Sequence, residues 1–398
     1  MNKSAALFLI LTTMVVSCIV NIQPANALDN QWIEKAPMPT ARFHFGAASV
    51  NCTIYAIGGL AEVFDGHEYG HTGTTNVNEA YDPATDAWVE KAPMPGPNWL
   101  DSFGIVVHQG KIYCIGGPAN NVYDPATDTW EAKKAMPTPR HFLDANVVDG
   151  KIYLIGGRAM GKVDWSPLLI TYHVSDVNEV YDPATNSWTE KAPIPHPIAS
   201  YASAVVNNKI YIISGCTPSG DITGLVQVYD PQTDNWSSAA SIPNPVENAV
   251  AGAITNNAMP SAIYVIGGCT ERLRASNQTY TGSKFNQVYF PENDSWTVSL
   301  PMPDNRYGLS VVVVNNMLYA IGGVSDTSFY SPTTYQFTTP DPTIQPSQSS
   351  LPSATEQSTT PPQPRTTVTP PPEVDIALGA AVATVIASIT VLLRKKSK

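Results

Sequence analysis

Ile112-Tyr113-Cys114-Ile115-Gly116-Gly117, followed after five residues by Tyr123-Asp124-Pro125-Ala126-Thr127-Asp128-Thr129-Trp130, decides the fold. The first run is apolar and β-branched, as a buried strand is, and it stops at two glycines that permit positive φ and close approach of a neighbouring backbone. Upstream, Phe103 to Val107 reads as a second buried strand, turned back by Gln109-Gly110. Downstream, Asn121 to Asp124 reads as a third strand and Pro125 to Asp128 as a turn whose proline presets φ. Thr129 to Ala132 reads as a fourth strand. Trp130 gives that outer strand a large apolar surface to wedge against an adjoining unit.

The same unit recurs along the chain. Glycine pairs stand at Gly58-Gly59, Gly116-Gly117, Gly156-Gly157, Gly267-Gly268 and Gly322-Gly323, with the variant Ser214-Gly215. Tryptophans stand at Trp32, Trp88, Trp130, Trp188, Trp236 and Trp296, separated by 56, 42, 58, 48 and 60 residues. The variation falls in loops, so the repeat is a four-stranded sheet that buries its faces only against its neighbours. Six glycine pairs predict six blades. Two segments compete for the sixth outer strand, one around Trp32 and one at Phe337, where a further tryptophan would fall. Trp32-Ile33-Glu34-Lys35-Ala36-Pro37-Met38-Pro39 fits the pattern better, which predicts that the N-terminal segment closes the ring and hides the sheet edges.

Ile54-Tyr55-Ala56-Ile57-Gly58-Gly59 with Tyr81-Asp82-Pro83-Ala84-Thr85-Asp86-Ala87-Trp88, and their equivalents, resemble the kelch family over residues 30–337. The resemblance implies an all-β, six-bladed kelch β-propeller. In layout the chain also resembles stalked archaeal and bacterial cell-surface kelch proteins. Departures are Ser214 for glycine, Phe290 for aspartate, and the last repeat, Tyr330-Ser331-Pro332-Thr333-Thr334-Tyr335-Gln336-Phe337.

The ends add a topology. Lys3, an apolar run from Ala5 to Val20 and Ala25-Asn26-Ala27 read as a signal peptide over residues 1–27. The propeller is expected over residues 28–337. Residues 338–375 are rich in Pro, Ser, Thr and Gln, a composition that builds no core and predicts a stalk reaching on the order of 100 Å. Ile376 to Leu393 carries no charge over 18 residues, roughly 27 Å as a helix, and predicts one transmembrane helix. The basic tail over residues 394–398 places the C-terminus in the cytoplasm and the propeller outside the cell. The net charge of −11 argues against nucleic acid as a partner. Cys216 and Cys269 follow the turns of adjacent repeats and read either as a disulfide or as two small buried thiols.

In a four-stranded blade, loops alternate between two faces. All six propeller arginines fall on the face of the second-to-third and blade-to-blade loops: Arg42, Arg140, Arg158, Arg272, Arg274 and Arg306. His44, His67, His71, His141, His173 and His196 join them, and only His108 lies opposite. Second-to-third loops are long in blades one, three and five (60–76, 158–175, 270–285), and among their aromatics are Trp165 and Tyr172. Arg42, Arg140 and Arg306 each stand four residues after a methionine. In that register they read either as three guanidiniums converging on one anion or as repeat arginines bonded to loop carbonyls. The ligand-binding set expected is Arg42, His44, Arg140, His141, Arg306, Trp165, Tyr172 and Arg272. Asp65, His67, Glu68 and His71 are ligand-competent, but Gly66, Gly70 and Gly73 oppose the helix that would align them, so neither a metal nor a cofactor is expected.

No nucleophile with a base, phosphate loop or recurring carboxylate pair is evident, and no catalytic residue is assigned. The expected role is a cell-surface binding module for a protein, a glycan or an anionic ligand, tethered to the membrane by its helix. A carbohydrate-active enzyme of isomerase or oxidase type using the same face, and a structural envelope protein, are the alternatives.

Overall fold

The computed structural model describes residues 30–63, 71–96, 101–165, 168–256, 259–273 and 279–339. The signal-peptide, stalk, membrane-helix and tail expectations, and the cluster from Asp65 to Glu68, lie outside them. No helix among the described residues is long and apolar enough to cross a membrane. Every described element is a β-strand.

Among the described residues six four-stranded antiparallel sheets follow one plan. In blade two, Gly104–His108, Lys111–Gly116, Ala119–Asp124 and Thr129–Ala132 pair in chain order, as the glycine pair and turn chemistry predict. Burial follows position within the blade. First strands alternate, as in Gly46–Val50. Second and third strands are buried along almost their whole length, as in Thr53–Ile57 and Asn78–Asp82, because both their faces are covered by neighbouring blades. Fourth strands such as Ala87–Lys91 are mostly exposed. The apolar core therefore lies between blades. Tyr55 meets Tyr123 across one boundary at 5.7 Å between ring centroids, and Tyr153 meets Tyr229 across another at 5.9 Å.

Two hydrogen-bond devices join blades to the one before, the first in five blades and the second in all six. Third-strand tyrosines donate to an aspartate or asparagine in the following turn: Tyr81 to Asp86, Tyr123 to Asp128, Tyr181 to Asn186, Tyr229 to Asp234 and Tyr289 to Asp294, at 2.5–2.7 Å. These acceptors sit at φ of 49–55°, where Asp and Asn are tolerated. The same oxygens accept backbone amides of the preceding blade, from Ala36, Ala92, Lys134, Ala192 and Ala240. Each outer tryptophan Nε1 also donates to a carbonyl of the preceding blade, for example Trp88 to Ala36 at 2.9 Å and Trp236 to Ala192 at 3.0 Å.

Closure follows the expectation for Trp32 and gives Phe337, the competing candidate, another place. Gln31–Lys35 pairs with Thr334–Thr338 as the outer strand of the last sheet. Phe337 lies in the third strand, opposite Trp32, where other blades carry tyrosine opposite tryptophan. The ring pair is 4.8 Å apart at 38°, against 5.0 Å and 37° for Tyr81 with Trp88. Tyr330 belongs to the preceding connection. Trp32 Nε1 donates to Leu300 O of the fifth blade at 3.0 Å, completing the set of tryptophan latches.

The first strands neighbour one another in a cycle, from Gly46–Val50 through Gly104–His108, Ala145–Val148, Ala202–Val206, Val250–Asn256 and Ser310–Val314 back to Gly46–Val50. At one end of this cycle the backbone closes a circuit. His44, Ser102, Phe142, Ser200, Asn248 and Gly308 all sit at φ of 52–61°. The amide of each donates to the carbonyl of the previous member, His44 to Gly308 included, at 2.6–3.0 Å. Hydrogen-bonding each buried amide to the next blade satisfies groups that the crowded axis shields from water.

Candidate binding face around the tunnel mouth

The long connections of blades one, three and five are hairpins. Leu60–Val63 pairs with His71–Thr74, Arg158–Trp165 with Leu168–Val174, and Cys269–Leu273 with Thr279–Gly282. The chain leaves each second strand through glycines at φ of 61–90°, such as Gly156 and Gly157. It then resumes β structure beside the segment leading into that blade's first strand. Arg42–Phe43 adds to the first hairpin, Arg140–His141 to the second, and Arg306–Tyr307 pairs with Val324–Ser325 in blade six. All of these lie beside the closed backbone circuit. In blade four Ser214 replaces the glycine at φ 59°, with its Oγ 2.7 Å from Thr223 O and Val246 O.

Arg42, Arg140 and Arg306 are each fully buried, which corrects their assignment to a shared anion site. Arg140 Nη1 donates to Gly156 O and Val177 O at 2.6 and 2.8 Å, and Nη2 to Leu154 O and Glu179 Oε2 at 3.2 and 2.8 Å. Arg42 repeats this with Gly58 O, Val77 O, Ala56 O and Glu79 Oε2. Arg306 bonds Gly322 O and Thr333 O, and its ion partner is Asp304. Each guanidinium thus staples the bend of its own blade. Burial lowers the pKa of Arg42 to about 10, opposed by Glu79, and Arg140 is lowered likewise against Glu179.

The sequence held a signal for this role that the register argument missed. Blades one and three, which have the arginine, carry Glu79 and Glu179 two residues before the third-strand tyrosine. Blades four and five, which lack it, carry Gln227 and Gln287 there. Gln227 serves itself, accepting from His196 N and donating to His196 O at 2.9 Å each, and Gln287 does the same with Asn244. In these four blades arginine and glutamate change together; blade six keeps the arginine with Tyr335 at that position and supplies Asp304 instead.

Other expected site residues divide. His44 belongs to the backbone circuit, its ring 5.7 Å from that of Phe142, and burial lowers it to about 4. His141 lies directly opposite Arg158 in the hairpin ladder, with Nδ1 3.4 Å from Asp101 O. Burial raises the Asp101 carboxyl, countered by His141. Tyr172 is 55% exposed on the second hairpin. Trp165 and Arg272 are placed by backbone alone, opposite Leu168 and Tyr280. Leu225 and Phe329 are further exposed side chains on this face, and Phe329 packs edge-on against Phe43 and Tyr330. Among the described residues no group of three His, Cys, Asp or Glu side chains is arranged to hold a metal. Cys52, Cys114, Cys216 and Cys269 are thiols, so Cys216 and Cys269 form no disulfide.

At the circuit is a cavity of about 70 Å³ lined by the circuit residues and by others that include Phe45, Phe103, Asp144, Tyr201 and Leu309. Asp144 accepts from Ser203 N and Oγ at 3.1 Å each, yet burial raises its pKa to about 6. Tyr201 donates to Ile155 O and accepts from Asp144 N. A cavity of this size has room for waters but not for a macromolecular ligand, which would meet the hairpins and the rim.

A family model described as the Attractin/LZTR1 beta-propeller matches residues 118–341, and a Kelch motif model matches residues 41–95. Kelch-like protein terF of Aspergillus terreus is 40% identical over 98 residues, 25% of this chain and 20% of the relative. Kelch-like protein 35 of Mus musculus is 27% identical over 205 residues, 50% of this chain and 31% of the relative. Beta-scruin of Limulus polyphemus is 29% identical over 201 residues, 47% of this chain and 20% of the relative. The chain thus spans less than a third of the length of these relatives. Among solved structures, that of YjhT aligns with a TM-score of 0.59 at 19% identity, covering 75% of this chain and 95% of that one, a likeness of fold.

Proposed function

The chain belongs to the kelch-repeat β-propeller family, and on that premise we propose that it is a six-bladed binding module whose hairpin face docks a protein partner. Kelch propellers generally mediate protein binding. The observation that carries the choice of face is the set of hairpins in blades one, three and five, which stand around the mouth with Tyr172, Leu225 and Phe329 exposed among them. Rigid sheets underneath hold these side chains at fixed separations, which lowers the ordering cost of a docked partner. Display outside the cell on a stalk and a single membrane helix, as residues 1–27, 338–375 and 376–393 suggest, would point this module at surface proteins; glycans are the second class of ligand for the same face.

A photo-crosslinking amino acid placed at Tyr172 or Phe329 is expected to capture a partner on cells producing the protein, whereas the same group at Val89 or Val298, on outer strands, is not. Equal capture from the outer strands, or none from the hairpin face, would overturn the assignment.

A further inference from the structure

Four arginines have described side chains, and one differs from the rest. Arg42, Arg140 and Arg306 each pair with a carboxylate. Arg158 has none among the described residues. Its Nη2 reaches Cys216 Sγ at 3.2 Å and its Cζ lies 5.2 Å over the Phe142 ring; its Nε is buried with no hydrogen-bond partner, as is that of Arg42, but Arg42 has Glu79 to neutralise it. A half-buried cation that, among the described residues, meets a thiol and an aromatic face but no carboxylate is under-satisfied, because desolvation is offset by little charge-assisted bonding. It stands at the rim, the first residue after Gly156-Gly157, where the second hairpin leaves the blade. His141 is its ladder partner, and side chains of directly paired residues project from the same face of a sheet. The three carboxylate-paired arginines show that this fold neutralises a guanidinium when the role is structural.

We propose that Arg158, with His141 beside it, binds a carboxylate group of a ligand. A carboxylate suits the site better than phosphate. The planar guanidinium matches a carboxylate. Asp101, whose carbonyl stands 3.4 Å from Nδ1 of His141 and whose carboxyl interacts with that imidazole, adds negative charge that a dianion tolerates less well than a monoanion. The proposal rests on the reading of the hairpin face as the binding surface and names the ligand chemistry at one point of it.

The full-length protein, labelled with ¹⁵N-arginine, is titrated with sodium acetate against sodium chloride at constant ionic strength, and with inorganic phosphate. The Arg158 Nε–H resonance is expected to shift saturably with acetate, with half-saturation at least tenfold below that of phosphate, while Arg42, Arg140 and Arg306 stay still. N-acetylglutamate and glucuronate as further titrants distinguish an amino-acid carboxylate from a sugar carboxylate. Arg158→Lys, which keeps the charge and loses the planar fork, is expected to weaken acetate binding at least tenfold by calorimetry with the unfolding temperature unchanged. Equal response to chloride, tighter binding of phosphate, or undiminished affinity in Arg158→Lys would each overturn the proposal. Crosslinking at Tyr172 and Phe329 without an acetate response sinks the carboxylate site alone; an acetate response without crosslinking sinks the docking face alone.

Discussion

Replacing Arg140 by alanine tests whether the buried arginines are structural. The change removes a fully buried guanidinium and leaves Glu179, nearly buried itself, without its cation, together with the carbonyls of Leu154, Gly156 and Val177. Breaking a buried ion pair from one side costs about 3–5 kcal/mol, and a stranded carbonyl about 1 kcal/mol more. Partial hydration of the vacated space recovers some of this, so the expected loss is about 4–6 kcal/mol, a large share of a domain's stability. Blade four shows how the site does without the pair, with Ile198 and Gln227 in the corresponding places. The double variant Arg140→Ile with Glu179→Gln is therefore expected to recover at least half of the loss, since glutamine there can bond the lead-in backbone as Gln227 does. Arg306→Ala should cost only about 2–3 kcal/mol, because Asp304 is 30% exposed and rehydrates when freed. Urea denaturation followed by tryptophan fluorescence measures all three. If Arg140→Ala shifted stability by less than about 1 kcal/mol, or if the double variant were no better than the single, the staple reading would fail.

Asp144 sets a pH dependence. Its folded-state pKa of about 6 lies above the usual 3.8, so its contribution is fully present below about pH 3.8 and is lost as pH rises through 6. Asp144→Asn should therefore be more stable than the parent at pH 7.5, by about 1–3 kcal/mol, and no more stable at pH 3.5. Urea midpoints that ran parallel across that range would contradict it. Trp32→Phe removes the latch to Leu300 O while keeping an aromatic against Phe337, and about 1–2 kcal/mol of stability should go with it. Because this latch joins the ends of the ring, amide exchange should quicken first in Gln31–Lys35; unchanged protection there would refute the coupling.

Much of the fold was legible because each repeat states the same local rules six times. Glycine pairs, the Tyr-Asp-Pro turn and the outer tryptophan are short-range signals, and the structure uses them within one blade or its neighbour. Phe337 competed with Trp32 for the outer strand because spacing treats every unit as a continuous string, whereas the last unit is split between distant segments and its aromatic takes the tyrosine's place. The arginines went wrong for another reason. Register located their side of the blade, but that Arg42 and Arg140 fold back onto their own carbonyls depends on third-strand glutamates 37 and 39 positions away. Arg158 was hidden by the same limit: a missing partner is visible only after every neighbour is placed. The hairpins were legible as long connections, yet their strand character depends on pairing with Arg42–Phe43 and Arg140–His141, which no single run of residues announces.

The pairing of Gln31–Lys35 with Thr334–Thr338 bears on how the molecule is made. Five blades can assemble in order as they leave the ribosome, but the sixth must wait, its first-synthesised strand idle until a partner some 300 residues later arrives. Joining those two strands by a short linker and opening the chain at the turn after Val206 should give a circular permutant with the native blades, and one whose folding no longer depends on retaining its earliest residues.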